Sequence, residues 1–336
     1  YGFDGILVNL SGRPPEWRDD AERVEDVEGG RRVVWRNGWS TIVPRDDNPH
    51  VYREDGSRFF PRLADVDPAD LHYIDPHDLS GITWPWTWGF GEAHAGSAFP
   101  PWQDATLREV RERAPNVSVH GEVFSPFSQL MELLDFEAGL LALVDEAEKV
   151  EACLASLTRG TVELMGILAR AGADAILVSS AFAGAGFISP AHYRRFVLPY
   201  EARAIRMFAE DFPDVPVYTH TCGAIGDRLE LIAETGSWGI DTLDPPPLGN
   251  VDLADARRRL GPRFLIKGNV DPVGTMLQGT PAEVRRDALA RIRVAGPGAY
   301  VLSTACSVAP ATPPENIAAL RAAADEAAGL APLRTG

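Results

Sequence analysis

Asp174-Ala-Ile-Leu-Val-Ser179, a helical stretch over Pro190–Ala209, then Val215-Pro-Val-Tyr-Thr-His-Thr-Cys222: this passage decides the fold. Two short apolar runs flank a long helical pattern, which is the signature of a βαβ unit and a parallel sheet. The same alternation recurs on both sides. Further strands are predicted at Phe3–Val8, Asn116–Val123, Gly239–Leu243, Arg263–Lys267 and Ala299–Ser303. Helices are predicted at Glu148–Ala171, Gly226–Thr235, Pro281–Val294 and Pro314–Ala327. In the first of these, Val150, Cys153, Leu154 and Leu157 share one face, so Cys153 is read as core. Pro281 and Pro314 stand near helix starts, where a missing N–H is tolerated.

Seven strands are counted in this way. The expected architecture is a (β/α)8 TIM barrel whose first strand would precede Tyr1, with an open doubly wound sheet as the alternative. The 336 residues read as a single barrel domain with a long excursion at about 11–115. That excursion holds a predicted antiparallel element, Arg32–Trp39 then Ser40–Pro44. It also holds Trp84, Trp86, Trp88 and Trp102 in a Pro/Gly-rich setting, which suits either a lid or a self-packed loop.

The formal net charge of −16 argues against nucleic acid or an anionic membrane as partner. Three cysteines make no disulfide framework, so a reducing cytoplasm is the expected compartment. No uninterrupted apolar run approaches the length of a membrane span, so none is expected.

Two of those cysteines carry the chemistry. His220-Thr-Cys222 closes one strand run, and Cys306 closes another at Ala299-Tyr-Val-Leu-Ser-Thr-Ala-Cys306. In a parallel barrel the strand C-termini and their loops form the active site. One imidazole and two thiols suit zinc, and three protein ligands leave the open position of a catalytic site. The bland alternative is a pair of buried thiols acting as small hydrophobes.

Five motifs occur in order: Gly121-Glu-Val-Phe-Ser-Pro-Phe-Ser128, Ile188-Ser-Pro-Ala-His-Tyr-Arg-Arg-Phe-Val-Leu-Pro-Tyr200, His220-Thr-Cys-Gly223, Gly268-Asn-Val-Asp-Pro272 and Ala309-Pro-Ala-Thr-Pro-Pro-Glu-Asn316. Together they resemble the uroporphyrinogen decarboxylase superfamily of (β/α)8 barrels, from Tyr1 to about Ala327. The resemblance implies one of two branches. The metal-free decarboxylases carry an aspartate after the second strand, where this chain has Val8-Asn9-Leu10-Ser11. They carry a tyrosine where Glu132 stands, and Gly-His-Gly where Thr304-Ala305-Cys306 stands. The zinc-dependent methyltransferases resemble this chain in His-x-Cys and a second cysteine at the last strand, matched here by His220, Cys222 and Cys306.

That branch implies bound zinc and methyl transfer with a corrinoid (methylcobalamin) carried on a separate corrinoid-binding protein. The other substrate would be a small thiol acceptor or a small methylated donor. The candidate catalytic residues are Glu122, Asn269 and Asp271. Glu122 is read as a fourth zinc ligand or as a group orienting His120. Asn269 and Asp271 either hydrogen-bond substrate or shape their turn. A metal-free decarboxylase and a non-catalytic binding barrel remain as alternatives.

Overall fold

The computed structural model describes residues 1–9, 17–45, 50–52, 54–56, 60–74, 99 and 102–329. The tryptophan loop through Trp84, Trp86 and Trp88 lies outside the described residues. Eleven strands are described. They are β1 (Gly5–Val8), β2 (Ala21–Val27), β3 (Gly30–Trp35), β4 (Ser40–Pro44), β5 (His50–Tyr52), β6 (Ser118–Phe124), β7 (Ala175–Ser179), β8 (Val217–Thr221), β9 (Gly239–Thr242), β10 (Leu265–Val270) and β11 (Tyr300–Thr304). Nine helices matter to the argument. These are α1 (Ala105–Arg113), α2 (Pro126–Leu134), α3 (Phe136–Asp145), α4 (Ala147–Arg170), α5 (Leu198–Asp211), α6 (Leu229–Glu234), α7 (Leu253–Leu260), α8 (Pro281–Ala295) and α9 (Pro314–Ala327).

All seven predicted strands form one parallel sheet in the order β1-β6-β7-β8-β9-β10-β11. Each strand pairs with the next in sequence, the winding of a TIM-type barrel. The sheet is curled, because Arg321 on α9 reaches back to Asp4 beside β1, at 3.4 Å. The seven strands expected in this chain are the seven the described residues give, and a closed eight-stranded barrel is not seen among them, since β1 and β11 do not pair. Closure of a barrel needs every strand hydrogen-bonded on both sides, and these two edges lack that partner.

The excursion folds its own antiparallel sheet, β2-β3-β4-β5. The predicted pair corresponds to β3 and β4, paired from Gly30↔Pro44 to Val34↔Ser40. Buried Trp35 anchors this sheet, donating its ring N–H to Thr41 at 2.8 Å.

In β6 burial alternates: Val119 and Val123 are buried beside Leu164 and Leu168 of α4, while His120 and Glu122 occupy the other face. That two-residue period leaves a polar set on the inner wall of the sheet. By length and composition α4 is apolar enough to cross a membrane, but most of it is buried within the fold. Cys153 is among its fully buried residues, and burial pushes that thiol up to about 11, so the core reading of Cys153 holds.

Two element boundaries differ from expectation for physical reasons. Pro190–Ala209 was expected as one helix, yet a π turn occupies Tyr193–Val197 before α5 starts. Pro199 lacks an N–H and crowds the preceding turn, so regular α-helix cannot run through it. The strand expected at Arg263–Lys267 runs on to Val270, because Asn269 and Val270 pair with Ser303 and Thr304.

Candidate metal centre

The sheet register sets the site. Across adjacent strands, Phe124 is level with Ser179, Ser179 with His220, His220 with Asp241, Asp241 with Lys267, and Lys267 with Val301. This row lies at or near the C-terminal ends of the strands, where catalytic residues of such barrels gather. His220 is the member of this row on β8, and Cys222 follows one residue beyond the strand end. Cys306 follows two residues beyond β11.

The curl brings the three together. Cys222 Sγ lies 3.0 Å from His220 Nε2 and 3.8 Å from Cys306 Sγ. The three donor atoms all fall within 4.8 Å of one another. Two zinc–sulfur bonds of ~2.3 Å at the tetrahedral angle place their sulfurs about 3.8 Å apart, so the thiol pair fits that ion. The histidine stands closer to Cys222 than the roughly 3.5 Å such a shell would set; its present separation is that of a hydrogen bond.

The loop that carries Cys222 is held from two sides. Gly223 adopts φ +77°, which a side chain would strain, and donates its N–H to Asp244 Oδ2 at 2.6 Å. Ala185 N–H donates to Ala224 O at 2.8 Å. At Gly184 a Cβ would lie 2.5 Å from the Cys222 carbonyl oxygen, so only glycine permits this approach. On the opposite side Thr304 donates its hydroxyl to Cys306 O at 2.6 Å.

The electrostatics follow from burial and pairing. The Cys222 thiol and the His220 ring outweigh burial and hold Cys306 below the usual thiol range, which favours its thiolate. The same thiolate, together with burial, pushes Cys222 up. Burial would lower His220, but the Asp241 carboxylate and Cys306 push it up to about 10. Burial would raise Asp241, but His220 and the Lys267 ammonium hold it below the usual carboxylate range. Burial raises Asp244, and the Gly223 N–H partly offsets this.

Below this row lies another. Glu122 is level with Leu177, and Leu177 with Tyr218, so Glu122 stands a residue pair below His220 and outside the cluster. His120 shares a hydrogen bond with Tyr218 Oη at 2.8 Å through Nδ1, and one with Ser118 Oγ at 2.9 Å through Nε2. Asn269 is fully buried. Its amide donates to Leu243 O at 2.8 Å and accepts from Arg291 at 2.5 Å, so both ends serve the fold. Asp271 caps the π turn Pro272–Leu277, accepting from Val273 N and Gly274 N.

Sequence reading missed Asp241 and Lys267. Their signal was one acid and one base, each alone in a short buried run, Gly239-Ile-Asp-Thr and Leu265-Ile-Lys-Gly. Opposite lone charges on neighbouring parallel strands are expected to meet.

Residues 94–327 match the uroporphyrinogen decarboxylase (URO-D) family, most of the chain, and the protein belongs to that family. Among curated relatives, a uroporphyrinogen decarboxylase of Gloeobacter violaceus is 32% identical over 145 residues, 43% of this chain and 39% of that protein. The methylcobamide:CoM methyltransferase MtaA of Methanosarcina barkeri is 28% identical over 221 residues, 66% of this chain and 62% of that protein. These matches span less than two thirds of the relatives' own lengths. A solved methyltransferase from Methanosarcina mazei superposes with a TM-score of 0.65 at 20% identity, covering 85% of this chain and 74% of that one, which shows the fold.

Proposed function

We propose that this chain is a cytoplasmic, zinc-dependent methyltransferase. It moves a methyl group between a corrinoid held on a separate protein and a small thiol or methoxylated substrate. The observation that carries this reading is the convergence of His220, Cys222 and Cys306 at the C-terminal end of the sheet. The likeness to a methylcobamide:CoM methyltransferase over 221 residues supports it.

His220, Cys222 and Cys306 would hold the metal. Zinc bound there supplies Lewis acidity and keeps a substrate thiol as its thiolate at neutral pH. Asp244, tied to Gly223 beside Cys222, joins Glu122 as a candidate fourth group. Cys306 already carries negative charge, so it is prepared for a cation. His120, whose pKa burial lowers, and Tyr218 form a neutral polar pair one row deeper, suited to orient the polar end of a small substrate.

Elemental analysis of the purified chain tests this reading. About one zinc per chain is expected, lost in Cys306→Ser, together with thiol-dependent loss of the methylcobalamin absorbance. Wild-type protein grown with ample zinc that contains none, and transfers no methyl group, would sink it.

A decarboxylase reading is favoured by one observation, the 32–37% identity of several curated uroporphyrinogen decarboxylases over 133 to 145 residues. It predicts products of lower carboxyl count from uroporphyrinogen, visible by porphyrin fluorescence after oxidation.

A further inference from the structure

We infer that Asp241, anchored by Lys267, is the positioning residue that fixes the His220 ring for metal binding, presenting Nε2 to the cation and keeping the proton on Nδ1. The inference rests on the zinc reading above and adds two residues to it.

The geometry makes the two ring nitrogens of His220 unequal. Nε2 faces Cys222 Sγ at 3.0 Å, on the side of the cluster. Nδ1 faces Asp241 Oδ2 at 3.6 Å, on the side of β9. An ionised carboxylate only accepts, so the nitrogen that faces it carries the proton. The nitrogen left to face a cation is then the other one, beside the sulfurs. Metal-bound histidines commonly have such a carboxylate behind them, which sets the tautomer and raises the basicity of the ring.

Asp241 is itself held from several sides. It is 4% exposed. Its Oδ1 accepts the Thr242 N–H at 2.8 Å, and its Oδ2 accepts from Lys267 Nζ at 2.7 Å. The three side chains come from adjacent strands at one register level, so the sheet itself sets their spacing. Lys267, level with Asp241 on the neighbouring strand β10, holds it in place through that contact.

A pair serving only to stabilise the sheet would need no histidine at the third corner, and buried ion pairs give little net stability.

The test is zinc affinity of the full chain, measured by competition with a chromogenic chelator, with folding checked by circular dichroism. Asp241→Asn is expected to bind zinc roughly 10- to 100-fold more weakly than wild type. Lys267→Met is expected to weaken binding in the same direction, and Lys267→Arg to restore it. Cobalt-loaded wild type should show one exchangeable, metal-shifted ring N–H proton signal, and Asp241→Asn should lose it. A purely structural pair would lower thermal stability and leave that signal in place. Folded Asp241→Asn that binds zinc within twofold of wild type and keeps the signal overturns the inference. If Asp241→Asn does not fold, Lys267→Met decides, and unchanged affinity there overturns it. Wild type that binds no zinc defeats the metal reading itself, a result separate from either variant.

Discussion

Two buried polar clusters share the C-terminal edge of the sheet, and they resolve the problem of burial in opposite ways. The first is His220, Cys222, Cys306, Asp241 and Lys267, where charge is kept: a thiolate at Cys306, a carboxylate at Asp241 and an ammonium at Lys267. The second lies behind it. Ser125 and Ser180 hydroxyls bond at 2.9 Å, Tyr193 Oη donates to Glu201 Oε2 at 3.4 Å, and fully buried Arg228 lies over the Tyr193 ring at 5.8 Å. Arg228 spends its donors on Ala183 O, Ile188 O and Asp227, and Glu201 Oε1 makes no hydrogen bond among the described residues. There burial wins, and Glu201 is pushed up to about 7. The two clusters touch through Ser180, whose N–H donates to His220 O at 2.7 Å. The contrast teaches that burial alone does not mark a candidate metal centre. What singles out the first cluster is donor atoms that face one another with charge retained.

The contrast breaks most sharply at the sulfurs. Cys222→Ser or Cys306→Ser should lower zinc from about one per chain to background, measured by elemental analysis, with the fold intact by circular dichroism.

Next in size is pH. At neutrality Cys306 is ionised, while His220, at about 10, and Cys222 hold protons that zinc must displace. Binding then releases about two protons, so affinity should rise roughly 100-fold per unit of pH between about 6 and 8. Competition titrations at three pH values check the slope.

The second cluster should respond in stability instead. Glu201 has a folded pKa raised from 4.5 to about 7, so the native state binds the extra proton between those values. Stability from this group is therefore greatest in acid and falls as pH rises toward and through 7, by on the order of 3 kcal/mol. Glu201→Gln should remove that fall: near wild type at pH 5, more stable at pH 8 by denaturant unfolding, with zinc content unchanged.

The smallest effect is expected at Asn269. Asn269→Ala leaves Leu243 O and Arg291 without their partner and should cost about 2 kcal/mol in unfolding free energy without loss of zinc. Zinc lost from folded Asn269→Ala would return this residue to the site.

The strands were legible because each is a short apolar run of fixed period. All seven were found, and the same pattern put His220, Cys222 and Cys306 at or just past strand ends, which are visible in a sequence. What sits beside a strand end was not. Asp241 and Lys267 join His220 only through the register of three strands, which no local pattern encodes. Asn269 was left between substrate and turn for a related reason: a polar residue in a turn motif looks available until its helix partner Arg291 is placed. The helices α2 and α7 were passed over although Ser125-Pro126 and Asp252 are ordinary N-caps. Their short length hid the periodicity. The missing eighth strand has no counterpart in the described residues.

Gly184 gives the site a second controlling point. The backbone around it rests on the Cys222 carbonyl, on an element that contributes no donor atom to the cluster. Two enzymes with identical ligands and different residues at that position would hold the sulfur at different distances from the imidazole. Since geometry, rather than ligand identity alone, lets a site choose among divalent ions, Gly184 is, on the zinc reading proposed above, where preference for one metal over its neighbours in the periodic table would be tuned without altering a ligand.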